Sequence, residues 1–525
     1  MSAPPGNDTS ASPGHVAAER LIVATVIGPG AEEGAALPAA PATVIKELLR
    51  QQRYAQALEM ANALVQQKPD DPSAYNLQGA VYLGGRDLAN AGKAFSRALS
   101  LQPGNVEAQL NLAQIDVVKK DYAKAQQRYR DILAKDAKNV DALLALAQIE
   151  ANVNRNQAGG LDLLEKAKHA DPEALSPRLF LATYYMRGRQ FDKAFAELDA
   201  ARRFHERDPE YLDLLGQVQA ASGKSTDAVA TFKILVAERP YSAQAHYRLG
   251  TALVGTEDYT AAAQSLQKAL DLRPDYPEAL DVLGLVELRA GHHSNALRLA
   301  RQLEQLQPGS PAGFALEGDV QRAQNRYADA VKAYERAFAK RPTGLLAIKL
   351  HAARTAAGKG KEADAQLEQW LKQNPDDIGT WQYFAETNLK AGRNKVAIEQ
   401  YRTVLAKYPD NVPALNNLAH LYQLEKDPGA LDVAERAYKL MPDSPMTADT
   451  LGWILVERGD FTRGLPLIRQ ASEKDPSNAL LRYHLAFALA KSGDKRRARI
   501  ELESLLAGNA KFPQRDAAMR LLNEL

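Results

Sequence analysis

Residues 378–411 read IGTWQYFAETNLKAGRNKVAIEQYRTVLAKYPDN, and their spacing decides the fold. Ala385 and Ala397 put one small residue into each of two apolar-periodic segments. Gly392-Arg393-Asn394 between them reads as a helix stop and a turn, and Pro409-Asp410-Asn411 as the exit. The unit is helix, tight turn, helix, turn.

Outward from this unit the same positions recur in both directions. Ala57, Ala91, Ala125, Gly160, Ala194, Ala228, Ala262, Ala296, Ala330, Ala363, Ala397, Ala430, Gly464 and Ala498 follow one another at steps of 33 to 35 residues. A second small-residue series, from Gly79 through Gly250 and Gly452 to Ala486, runs about a dozen positions ahead of the first. Two locked series mean one helical hairpin copied fourteen times, because helices approach closely only where side chains are small. Proline commonly ends the second helix, as at Pro69, Pro240 and Pro409, and cannot continue it. Such a chain extends by stacking repeats and needs no single large core, so its 525 residues do not imply several globular domains.

Composition narrows the function. A formal net charge of +2 gives no global field for nucleic acid. The absence of cysteine removes disulfides, thiolate metal sites and cysteine catalysis. No apolar run reaches membrane-spanning length, and the short stretch Leu21–Ile27, preceded by Glu19-Arg20, lacks the flanks of a secretory signal. Residues 1–41, rich in Ala, Pro and Gly, read as a disordered tail. Residues 42–512 read as the repeat array and 513–525, opening on Pro513, as a C-terminal capping helix. The chain is therefore cytoplasmic, or periplasmic and envelope-associated in a form that has lost its signal.

The pattern resembles the tetratricopeptide repeat (TPR) family. Trp381, Phe384-Ala385, Ala397, Tyr401 and Pro409 fall where that family carries its aromatic, Leu-Gly, Ala, Phe/Tyr and Pro positions. The departures are Ala137, Glu206 and Ala510 in place of the proline, and Ile45 in place of the first small residue. The resemblance implies an all-α, right-handed α-solenoid whose first helices line a concave groove. The C-terminal stretch Thr450-Leu451-Gly452-Trp453-Ile454, with Arg482-Tyr483-His484-Leu485-Ala486 after it, is similar to TPR proteins of bacterial exosortase/PEP-CTERM and exopolysaccharide loci.

Chemistry of other kinds leaves no trace. No HExxH, GxSxG or GxxxxGK[ST] motif occurs, so no enzyme, metal site or cofactor is expected. His292-His293 and Gly358-Lys359-Gly360-Lys361 read as turns between helices, and Asn7-Asp8-Thr9 as a chance sequon. The family register points Asn416 and His420, Asp449 and Trp453, and Tyr483 and Phe487 into the groove of the last three units. Three aromatics beside polar groups suit a peptide or a sugar ring. The competing expectation is that Trp453 and Phe487 pack on neighbouring helices or on the terminal cap. A carboxylate clamp built on Asn76, Asn111, Asn416 and Asn417 is disfavoured, since matching basic residues do not accompany them. The expected function is a scaffold for an extended protein or peptide partner in envelope exopolysaccharide production or PEP-CTERM protein sorting. The alternative is direct polysaccharide binding during polymer export. Oligomeric state stays open.

Overall fold

The computed structural model describes residues 41–507 and 512–525. The expected tail up to residue 40, the stretch 21–27, the sequon at 7–9 and Ala510 lie outside them. The described residues form 29 helices and no strand. They fall into two units, divided after Pro274.

The first unit holds seven hairpins, from Pro41–Arg50 with Tyr54–Gln67 to Ala243–Gly255 with Tyr259–Leu272. The second holds seven more, from Pro277–Arg289 with His293–Leu306 to Ala479–Lys491 with Lys495–Ala507, and a terminal helix Arg515–Glu524. Within each unit helices adjacent in sequence pack on each other, and first helices also touch across hairpins, as Pro445–Glu457 touches both Val412–Leu424 and Ala479–Lys491. Two boundaries differ from expectation. The first helix opens on Pro41 itself, whose fixed φ suits a helix start. The terminal helix opens at Arg515 after an N-cap at Gln514, so Pro513 stands before it in the turn.

The small residues do steric work with a consistent partner sixteen positions later. A Cβ at Gly79 would meet the ring of Phe95, at Gly216 that of Phe232, at Gly318 that of Tyr334 and at Gly452 the Ile468 side chain. Each of those large side chains is buried to within a few per cent. Gly284 is the exception with a reason: its partner sixteen later is Ala300, and Leu316 of the following hairpin fills the space. Ile45, the departure in the first hairpin, is fully buried in a cluster with Leu48, Leu49, Ala57 and Ala61.

Every hairpin turns through one residue in the left-handed region. Six of these are glycines, such as Gly223 at φ +85°, and eight are not, such as Lys120 at +63° and Lys426 at +58°. In all but one hairpin the turn is closed by a hydrogen bond that reaches back five residues, as from Asp121 N to Asp116 O at 2.8 Å; in the fourth, Asn156 N reaches back six to Glu150 O. The same Asp121 then caps the second helix by accepting from Lys124 N. Gly358 at φ +82° places Gly358-Lys359-Gly360-Lys361 in such a turn, and His292 stands at the N-cap of the next helix in another.

The crossing geometry predicts opposite responses at two helical glycines. A Cβ at Gly250 would lie 2.6 Å from Leu266 Cγ, so Gly250→Leu overpacks and is expected to cost about 1–3 kcal/mol. Gly92 has nothing within 4 Å of its would-be Cβ, so Gly92→Ala is expected to gain up to about 1 kcal/mol from helix propensity alone. Urea-unfolding midpoints measure both.

Candidate functional site

The three helices expected to carry the site are Val412–Leu424, Pro445–Glu457 and Ala479–Lys491. Each starts at a defined point. Asn411 caps the first by accepting from Ala414 N at 3.0 Å, and Asn478 caps the third by accepting from Leu480 N at 3.1 Å. At the second, Thr447 Oγ1 reaches back to donate to Met441 O at 2.7 Å. Residues separated by one hairpin thus stand side by side.

Four of the six expected residues meet, and they meet around a seventh. His484 Nδ1 lies 2.9 Å from both carboxylate oxygens of Asp449, and its ring stacks on Trp453 at 4.0 Å and 26°. Phe487 lies against Trp453 at 5.0 Å and 44°, and Tyr483 stands 6.3 Å from Phe487. Asp449 is 8 % exposed, and that imidazole is the hydrogen-bond partner of its carboxylate. Trp453 and Phe487 also pack, half-buried, with Leu525 against the core that Tyr483, Leu502, Ala518 and Leu521 build with the terminal helix. Trp453 and Phe487 thus pack on neighbouring helices and beside the terminal helix.

His420 stands apart from this ring cluster but within electrostatic reach of it. Its ring touches solvent, yet the protein around it strips away much of its hydration and lowers its pKa below 6.5. The charge of His484 pushes the same way, while Asp449 and Glu457 oppose it. Asn416, one turn earlier on the same helix, is 8 % exposed, and its Oδ1 accepts no hydrogen bond among the described residues. Burial, only weakly offset by Arg520, raises the Tyr483 hydroxyl above 10, so it remains a donor.

His484 was missed by the groove register, although a signal existed. Asp449 and His484 are 35 residues apart, and so are Asp213 and Arg248, which pair at 2.9 Å in the first unit. An acid at the fifth position of one first helix followed by a base at the sixth of the next is the readable pattern. Asn76 Nδ2 donates to Asn105 and Glu107, and Asn417 Nδ2 to the Tyr401 hydroxyl, while Asn76 Oδ1 and Asn111 Oδ1, like Asn416 Oδ1, are buried and accept no hydrogen bond among the described residues. Among the described residues no group of three or more acids and histidines is placed to hold a metal ion, and no helix is long and apolar enough to cross a membrane.

Helical hairpins repeated through both units, crossing at small residues in all but the first helix, define an all-α repeat solenoid. Two models of one family, both described as the tetratricopeptide repeat, match residues 45–106, 181–243, 247–311 and 384–445, and residues 82–149 and 455–522. The chain belongs to the tetratricopeptide repeat family. A TPR repeat-containing protein of Pseudomonas aeruginosa is 26% identical over 198 residues, 36% of this chain and 33% of that protein. Cellulose synthase 1 operon protein C of Komagataeibacter xylinus is 24% identical over 275 residues, 50% of this chain and 18% of that one. The chain thus spans a third or less of either relative. Among solved structures, yeast Tom70 aligns over 86% of this chain and 95% of its own at 16% identity and a TM-score of 0.44. These relatives lend no support to the exosortase and PEP-CTERM likeness.

The depressed His420 pKa has a definite sign. The folded state takes up this proton at lower pH than the unfolded chain, so the group erodes stability progressively as pH falls below about 6.5. Ring-proton NMR is expected to place its midpoint below 6.5, and His484→Gln to raise it part of the way back.

Proposed function

We propose that this protein is a non-enzymatic scaffold that holds an extended polypeptide against the first helices of its last three hairpins. The observation that carries the reading is Asn416 Oδ1, a buried acceptor with no partner among the described residues. Leaving such an atom unpaired costs about 1–3 kcal/mol, and a backbone N–H of a bound strand would relieve it. His420, one turn away and held toward its neutral form, offers both a donor and an acceptor beside it. Asp449, Trp453, Tyr483 and Phe487, gathered with His484, supply the wall next to these groups.

The setting we infer is exopolysaccharide production at a bacterial envelope. It is supported by the likeness to cellulose synthase operon protein C, whose name places that relative with polymer synthesis. Direct polysaccharide binding is the second reading and rests on the same likeness. The contacts of Trp453 with both His484 and Phe487 weigh against it, since a sugar ring needs an open aromatic face.

Panning a linear-peptide display library on the full chain, followed by anisotropy with a recovered peptide, tests the proposal. The double variant Asn416→Ala/His420→Ala is expected to bind that peptide about tenfold more weakly with unchanged helical circular dichroism. Equal affinity would remove the site. Saturable tryptophan quenching by a soluble cello-oligosaccharide, with no peptide recovered, would favour the polymer reading.

A further inference from the structure

The first unit carries a cleft of about 590 Å³ on its second-helix side, remote in sequence from the site just described. Phe191–His205 and Ser225–Glu238, the second helices of consecutive hairpins, form its walls, and Pro209–Ala221 is its floor. The cleft coincides with a departure in the sequence. Where most hairpins carry proline, this one has Glu206, and the helix before it runs 15 residues instead of the usual 14. Glu206 and Arg202 of that extended end pair with each other at 3.1 Å on the rim.

The lining is two-sided. Phe195, Leu215 and Ile234 give it an apolar strip, with Ile234 44 % exposed. Asp192, Asp199 and Asp227 stand around that strip, exposed, and none of the three makes an ion pair or a side-chain hydrogen bond among the described residues. Tyr211 lines the cleft with all but 2 % of its surface buried, and its hydroxyl also has no hydrogen-bond partner among the described residues. Lys224 lies over the face of Phe195, 4.4 Å from the ring centre. The four carboxylates of the lining, Asp192, Asp199, Glu206 and Asp227, outnumber its two cations, Arg202 and Lys224, so the cleft is negative on balance. Asp192 and Asp227 stand in the first turns of their helices, where a carboxylate suits the helix dipole, but both still present their charge to the open cleft beside its apolar strip.

We propose that this cleft is a second docking surface, and that its occupant is a basic amphipathic helix of a partner protein. The apolar face of that helix lies along Phe195, Leu215 and Ile234. Its Lys or Arg side chains reach Asp192, Asp199 and Asp227, and one polar group meets the Tyr211 hydroxyl. Two parallel helix walls with an apolar floor match the helix-in-groove mode of recognition, and the acidic rim selects against acidic helices.

The chain contains no cysteine, which permits a site-specific probe. Ala196→Cys on the exposed cleft wall, carrying an environment-sensitive dye, reports occupancy in the full-length protein. The ligand probe is a 14-residue peptide of leucine and lysine with its leucines on one helical face, set against its leucine–glutamate counterpart. Saturable emission change with the lysine peptide alone is expected. Asp192→Asn/Asp199→Asn/Asp227→Asn is expected to weaken it about tenfold, the scale of three rim ion pairs acting together. Ile234→Ser, at an exposed position, is also expected to weaken it. Asp131→Asn/Asp162→Asn/Asp271→Asn removes the same charge from exposed sites outside the cleft and is expected to change nothing. Binding of both peptides alike, no saturable signal, or an equal loss in the outer variant would overturn the assignment.

Discussion

The distance at which two helices of a hairpin cross is set by what stands at the crossing point, and in every hairpin but the first, which carries Ile45, that point is a glycine or alanine on each side. Around it the chain keeps a volume balance. Where the first helix offers glycine, the second usually offers Phe95, Phe232, Leu266, Tyr334 or Ile468 sixteen residues on. Dispersion contacts reward such close filling and a void or an extra methylene is felt at once. Gly284 shows that the balance is kept by volume and not by position, because Leu316 of the following hairpin takes over where Ala300 is too small. All other features of the fold hang on this spacing, including which first-helix residues face outward and how near they come to their counterparts one hairpin away.

That nearness explains the candidate site. Helices Pro445–Glu457 and Ala479–Lys491 bring an acid and an imidazole 35 residues apart to 2.9 Å, and the imidazole lies flat on Trp453. The same aromatic residues serve two masters. They close the end of the core with Leu525 and the terminal helix, and in the proposed site they would furnish the wall beside Asn416 and His420. Rings held from two directions are rigid, which suits recognition of a partner by fixed geometry and reduces the ordering cost of association.

The repeat was legible because its cause is steric and therefore written in residue size. Fourteen hairpins, their crossing positions and their turns could be read from Gly, Ala and Pro alone. The turn chemistry was only half legible. Gly223 and Gly459 announce a left-handed residue, whereas Lys120, Arg189 and Glu257 adopt one with no advertisement, held by the closing hydrogen bond and, after Lys120 and Glu257, by a capping aspartate. In the site, the register put Asp449 and Trp453 on one helix and Tyr483 and Phe487 on the next first helix, and of these Trp453 and Phe487 touch. It could not foresee that His484 would intervene, because a sixth-position residue is elsewhere mostly apolar and inward, as at Leu214 and Leu350. Pro513 misled for a simpler reason: proline suits a turn as well as a first helical residue, and only the chain's path past Gln514 distinguishes the two.

The fifth-to-sixth position pairs and the hairpin cores share one further property. Each joins residues no more than about one repeat apart in the chain, and within each unit a helix packs chiefly on its immediate successors. Loop closure is therefore cheap at every step, and order can spread from whichever hairpin condenses first. During synthesis the early repeats have their full set of partners before the late ones leave the ribosome, and a break in one stretch leaves distant stretches with their neighbours intact. Strength in such a chain is a local property, distributed like links and not concentrated at a keystone.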